Sequence, residues 1–183
     1  INVRAAEAML ASILGDTLGL STQRVTVKTV QTVAALMKLG AHTATIDQKR
    51  REFMKKPADI LDYKADLIKR IEYHCAGRLA TIHIPWEDIE TYSDRYNPSV
   101  LVLDEMRLVE GVEVAIAIKT YPDGKLTGKI RANLPLGDKI AGYFGGGGHA
   151  YSAGFKIFED YNDAMRELIK ATDDILRNHH EAA

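Results

Sequence analysis

The 183-residue sequence predicts an α/β fold, helical through its first 77 residues and built on a sheet with flanking helices thereafter. Three observations predict it. Apolar residues recur at helical spacing through most of residues 3–76; Val112, Val114, Ile116 and Ile118 then alternate strictly with Glu113, Ala115, Ala117 and Lys119; and Pro122-Asp123-Gly124 punctuates two such runs as a hairpin turn.

The elements follow in order. Residues 3–14 carry Ala5, Ala8, Met9, Ser12 and Ile13 on one helical face, and the pattern breaks at Gly15-Asp16-Thr17-Leu18-Gly19-Leu20-Ser21-Thr22. A second helix is expected from about Val25 to Leu39, its face formed by Val30, Val33, Ala34 and Met37 and its end capped by Gly40. Residues 45–76 are highly charged. Lys49, Arg50, Arg51, Lys55 and Lys56 form a basic cluster, read as a solvated connecting face with nucleic-acid contact as the other reading. Ile60, Leu67, Ile68 and Ile71 then mark a helix that Pro57 can start and Gly77 can stop. Cys75, the only cysteine, falls near the end of that pattern and is expected to be a small buried hydrophobe.

From Arg78 a separate unit begins. Leu79–Ile84 reads as a short apolar strand, followed by helices at about 86–92 and 99–106. The alternating strand and its hairpin come next. The return strand, 125–132, sets Leu126, Gly128 and Ile130 on one face and Thr127, Lys129 and Arg131 on the other. Residues 137–144 read as a short helix with Ile140, Ala141 and Phe144 on one side, 155–158 as a strand, and 160–178 as a closing amphipathic helix. Asn178-His179-His180-Glu181 is expected to face solvent.

Between that short helix and that strand stands the least ordinary stretch of the chain, Gly145-Gly146-Gly147-Gly148-His149. Four glycines in a row forfeit roughly 0.5–1 kcal/mol each relative to alanine in an element interior. They offer positive φ and a row of backbone N–H groups with no Cβ in the way, an arrangement that closes around an anion. His149 adds a donor whose charge changes near neutral pH. A glycine-rich turn with a surface histidine is the other reading. The dinucleotide fingerprint is matched literally by Gly145-x-Gly147-x-x-Ala150, but it must follow a strand and open a helix, and here the order is reversed. No Gly-Lys-Ser/Thr triplet follows, which excludes the phosphate loop of nucleoside triphosphatases.

A net charge of −1 excludes a global basic field, so a polyanion must be met by a local site, and short or mononucleotide ligands suit it better than duplexes. No apolar run of membrane length and no signal-peptide pattern occur, and a cytoplasmic location is expected. Helical pattern starts almost at Ile1, as in a chain entered in the middle of a larger protein.

Tyr143-Phe144-Gly145-Gly146-Gly147-Gly148-His149, with Ser152-Ala153-Gly154 after it, resembles the signature of the DHH-associated C-terminal domain of DHH-family phosphoesterases. The order of elements over 78–178 agrees with that resemblance. Ser12-Ile13-Leu14-Gly15-Asp16-Thr17-Leu18-Gly19-Leu20, followed by a helix and Leu39-Gly40-Ala41, is similar to the last motif of the family's catalytic domain. The resemblance implies three parts: residues 1–44 as the end of the catalytic domain, 45–77 as a helical connector, and 78–183 as a substrate-binding domain with a mixed sheet flanked by helices. It implies that Asp16 is a ligand of a two-manganese centre, with Thr17 supporting it. It further implies that Gly145, Gly146, Gly147, Gly148 and His149 hold a substrate phosphate, and that Arg131 contacts a phosphate oxygen. Read from the residues alone, Asp16 can equally end a helix in a Gly-Asp turn, and Arg131 can be a surface or ion-paired arginine.

The family's earlier metal motifs, including the Asp-His-His triplet, do not occur in these residues, and one carboxylate cannot hold two divalent ions. The chain is therefore expected to be the C-terminal portion of the enzyme, to bind the substrate and to be inactive alone. The branch it resembles most is that of oligoribonucleases and phosphatases of 3′-phosphoadenosine 5′-phosphate, with short single-stranded RNA or a nucleotide as partner. Neither duplex nor membrane is expected in this portion, and a homodimer is open. Cyclic-dinucleotide phosphodiesterase, RecJ-like single-strand exonuclease and non-catalytic nucleotide-binding module are the other readings.

Overall fold

The computed structural model describes residues 1–182. It divides into two compact units, Ile1–Lys56 and the residues from Pro57 onward, each described by itself.

The first unit holds three helices: α1 (Val3–Asp16), α2 (Val27–Lys38) and α3 (Thr43–Phe53). Asn2 caps α1 by accepting from the Ala5 amide at 2.9 Å. Thr26 and Thr29 close a reciprocal capping box at the start of α2. The core is small, Ala6 and Leu10 of α1 against Val33, Leu36 and Ala41. The buried stripes are therefore displaced from the expected faces. Met9, Val30 and Met37 are 43–49% exposed, because both helices carry apolar residues around more than one side and periodicity does not say which side is covered.

The second unit opens with α4 (Ala58–Lys69), β1 (Glu72–His74), β2 (Leu79–Ile84), α5 (Trp86–Tyr92) and α6 (Pro98–Met106). It continues through β3 (Val114–Thr120), β4 (Lys125–Ala132), α7 (Gly137–Tyr143), β5 (Gly147–His149), β6 (Ser152–Phe158) and α8 (Tyr161–Glu181). The six strands form one mixed sheet in the order β1-β2-β3-β4-β6-β5, with β2 and β3 parallel and the other pairs antiparallel. This is the α/β class that the sequence predicts.

Each sheet face has its own core. Ala80, Ile82, Ile84, Ala115 and Ala117 pack with residues of α4, α5 and α6, including Leu67, Ile89 and Met106. On the opposite face Val114, Ile116, Ile130 and Phe155 pack with Ile140 of α7 and Leu168 and Leu176 of α8. The alternation on β4 is complete: Leu126, Gly128, Ile130 and Ala132 are buried, while Lys125, Thr127, Lys129 and Arg131 are half-buried. Gly128 serves packing, since a Cβ there would lie 2.2 Å from the Phe155 ring.

Two expectations are corrected. Helix α4 ends at Lys69, and residues 72–76, expected to end that helix, instead form β1 and part of the turn that pairs it antiparallel with β2, the strand expected at Leu79–Ile84. The turn is made by left-handed backbone at Cys75, Ala76 and Gly77, with φ of 55°, 56° and 88°, and only the glycine advertises it in the sequence. Cys75 is half-buried in this turn; burial first, and then nearby Asp173, push its thiol up to about 11. The second correction concerns the end of the chain. Helix α8 runs on to Glu181, three residues beyond the expected end; Asn178, His180 and Glu181 are exposed as expected, and His180 meets the Glu113 carboxylate at 2.9 Å.

Candidate functional site

Strand pairing brings together the residues that the sequence singles out near the glycine run. Arg131 on β4 is the register partner of Ser152 on β6, and Ser152 is the partner of His149 on β5. Cross-strand partners share a face, so Arg131, Ser152 and His149 form one row across three strands. Helices α4, α5 and α6 pack on the β2 and β3 part of this face, leaving β4, β6 and β5 with polar residues upon it. The Arg131 guanidinium donates to Ser152 Oγ and, at 3.1 Å, to the Ile130 carbonyl. Among the described residues it forms no ion pair, and His149 is exposed, its ring making no hydrogen bond.

The glycine run divides its work. The Gly145 amide donates to Gly142 O at 3.0 Å and the Gly146 amide to Ala141 O at 2.8 Å, closing the end of α7. Of the row of amides that the run offers, these two complete a helix. Gly147, Gly148 and His149 instead form edge strand β5. Gly145 is left-handed with φ 69°, which favours glycine. A Cβ on Gly146 would lie 2.3 Å from Gly154 O, and one on Gly148 2.6 Å from Ala153 Cα. Gly147 has nothing within 4 Å of where its Cβ would be. Three of the four are demanded by the fold, and the fourth is open space at an exposed edge.

Beside this edge lies a groove of about 550 Å³, lined by Lys119, Lys129 and Lys156 with Asn97, Ser99, Tyr121, Thr127 and the backbone of Gly145, Gly146 and Gly154. Lys119 Nζ donates to Asn97 Oδ1 at 2.9 Å. Burial, and secondarily the like charge of Lys129, lower the Lys119 ammonium below its ordinary value. In the sequence Lys129 falls on the Arg131 face of its strand and Lys119 in the alternation of the strand before it, neither with a role, and Lys156 stands out in no pattern. Alternation gives the signal for Lys129; the other two need the register.

Asp16 belongs to the first unit. It is the last residue of α1 and exposed, and its carboxylate makes no hydrogen bond or ion pair among the described residues. Thr17 Oγ1 donates to Ile13 O at 2.6 Å and accepts from the Leu20 amide at 3.0 Å, so its hydroxyl fastens the following turn. No group of three or more His, Cys, Asp or Glu able to hold a metal ion occurs among the described residues. Asp16 does not by itself fit a two-metal centre. The unit's cavity, about 920 Å³, is lined by α1 and α3 residues that include Ala8, Leu14, Ile46 and Phe53, and Asp16 is not among them. No described helix is long and apolar enough to cross a membrane.

No protein-family model matches the sequence, and neither does any curated protein. Solved structures do match. An exopolyphosphatase-related protein from Bacteroides fragilis superposes with a TM-score of 0.76 over 98% of this chain and 51% of its own, at 15% identity. This is a shared fold. A pGpG-specific phosphodiesterase from Vibrio cholerae (TM-score 0.48, 16% identity, 90% of this chain and 57% of its own) and a putative family II inorganic pyrophosphatase from Methanococcus jannaschii (0.41, 14%, 93% and 56%) overlap more loosely, too loosely to bear on function. The chain spans about half the length of each of these structures.

Proposed function

We propose that the chain is the substrate-gripping C-terminal part of a metal-dependent phosphoesterase of the DHH family, acting on short single-stranded oligoribonucleotides or 3′-phosphoadenosine 5′-phosphate. In this reading residues 1–44 end the catalytic domain, 45–77 connect, and 78–183 bind the substrate. The observation that carries it is the row Arg131-Ser152-His149 beside the exposed Gly147 edge. The fold shared with the exopolyphosphatase-related protein supports it.

The chemistry of the row suits a phosphate. Arg131 has a planar fork of donors with no carboxylate to satisfy it, and such a fork binds a phosphate through charge-assisted, bidentate hydrogen bonds. His149 supplies a further donor from an edge strand, where it is free to close on the ligand. Gly147 lets the ligand approach the backbone without meeting a side chain. Manganese is the metal this reading expects, with Asp16 as one of its ligands, and no hydrolytic step is assigned to the residues described.

Titration of pApA into the wild type and into His149→Ala and Arg131→Ala tests the grip. Each loses a hydrogen bond to a charged group, about 1.5–3 kcal/mol, so affinity should fall by about tenfold or more. Unchanged affinity in both variants would remove the assignment.

A further inference from the structure

The groove beside the row holds more positive charge than one phosphate needs. Lys129 lies two residues before Arg131 on the same face of β4, about 7 Å away at the rise of a strand. One step further along, Lys119 of β3, Thr127 of β4 and Lys156 of β6 are register partners and form a second row parallel to the first. Lys119, Lys129, Arg131 and Lys156 thus share one face, in a chain whose net charge is only −1.

None of the four forms an ion pair among the described residues, whereas Lys125, at the hairpin end of β4, reaches Asp123 at 3.9 Å. The Lys156 ammonium approaches only the Phe158 ring, 5.8 Å from its centroid. Lys119 is oriented by a neutral group, the Asn97 amide oxygen. Cations set side by side repel one another, and the half-buried Lys119, Lys129 and Arg131 also lose hydration, while Lys156 is exposed, so the arrangement lacks an anion that would complete it.

We propose that this open part of the sheet face is a track for a linear chain of phosphates, with Lys129, Lys119 and Lys156 holding the groups that follow the one gripped by Arg131 and His149. The inference rests on the reading that the Arg131 row takes the first phosphate. Its regular strand period suits a ligand whose charges also recur along a line. The shared chemistry is that of an oligonucleotide backbone and of inorganic polyphosphate.

Calorimetry with four probes, compared at the same ionic strength and repeated over a series of salt concentrations, tests it: AMP, pApA, inorganic tripolyphosphate and tri-glutamate. The wild type should bind pApA, tripolyphosphate or both at least about tenfold more tightly than AMP. The triple variant Lys119→Gln, Lys129→Gln, Lys156→Gln should lose that margin while AMP affinity moves less than about twofold, and each lysine lost should flatten the log–log salt dependence by about 0.7. Lys129→Arg, which keeps the charge, should retain affinity, and circular dichroism confirms that each variant is folded. A loss confined to pApA identifies a nucleotide backbone, and one confined to tripolyphosphate identifies the inorganic chain; either supports the track. A folded triple variant that binds both probes like the wild type overturns the track, and so does tri-glutamate bound as tightly as tripolyphosphate. His149→Ala separates the two readings, because it should weaken AMP and the longer probes together. If His149→Ala and Arg131→Ala change neither, the first-phosphate reading fails whatever the lysines do.

Discussion

The two units leave different things uncovered. The first exposes apolar side chains, Phe53 at 92%, Val27 at 75% and Val3 at 51%, around a core of five buried residues. The second buries a core on each face of its sheet and leaves cations without counter-charges on the open part of one face. Uncovered apolar surface leaves packing unfinished or waiting for a partner, whereas clustered like charge on a finished scaffold focuses a field that draws ions of the opposite sign. Asp16 accordingly stands alone, while Arg131 and His149 are held by strand register.

The sharpest way to break that contrast is to cut the chain between Lys56 and Pro57. Chains of about 60 residues bury only about 60% of the surface they expose when unfolded and are marginal on that account. The fragment 57–183 should unfold in one cooperative thermal transition with intact near-ultraviolet circular dichroism. The fragment 1–56 should show no such transition. A sharp transition in 1–56 would mean that its small core suffices.

Legibility in the sequence follows the same division. In the second unit the strict alternation of residues 112–119 and 125–132 yields β3, β4 and the placement of Arg131 opposite Ile130, because a one-residue slip would carry every side chain to the other face, although β3 itself is buried on both faces. In the first unit the helices are legible but their buried faces are not, since Met9, Val30 and Met37 widen the apolar stripe beyond what is covered. The β1–β2 turn escapes because Cys75 and Ala76 adopt positive φ without a residue type that signals it. The glycine motif marks the candidate site, but its division between helix closure and open edge emerges only when Gly146 and Gly148 are seen against β6. Lys119 and Lys156 join the groove through pairings that no local pattern contains.

Within the second unit, adjacent glycines sharpen the distinction between scaffold and ligand site. Gly146→Ala forces a Cβ to within 2.3 Å of a backbone oxygen and 2.6 Å of Phe155 Cβ, neither of which is the free end of a side chain. Overpacking of this kind costs about 1–3 kcal/mol, and backbone opposition puts this case at the upper end. Gly147→Ala meets nothing and should alter stability by no more than about 0.5 kcal/mol, the usual range for a surface change. Chemical denaturation measures both. If Gly147→Ala is as stable as the wild type but binds pApA more weakly, the open edge serves the ligand; equal destabilisation by the two substitutions would assign the whole run to the fold.

The smallest expected effect tests how complete the second unit's packing is. His83 of β2 stacks on Tyr161 at the start of α8, with ring centroids 4.1 Å apart, and its Nε2 meets Thr120 Oγ1 at 3.0 Å. Burial lowers its pKa below the ordinary 6.5, only partly offset by Asp88, Glu72 and Glu87, with Arg70 acting in the same direction as burial. The neutral ring is therefore favoured in the folded state, and the unfolded chain binds the proton more readily. Stability from this group is fully present above about pH 6.5 and is lost as pH falls from there through the depressed folded value. Denaturation midpoints measured between pH 7.5 and 5 should decline more steeply in the wild type than in His83→Gln, which keeps a polar side chain but cannot take up the proton. Equal slopes would show that the His83–Tyr161 contact admits water, and that this side of the sheet is less closed than its buried residues imply.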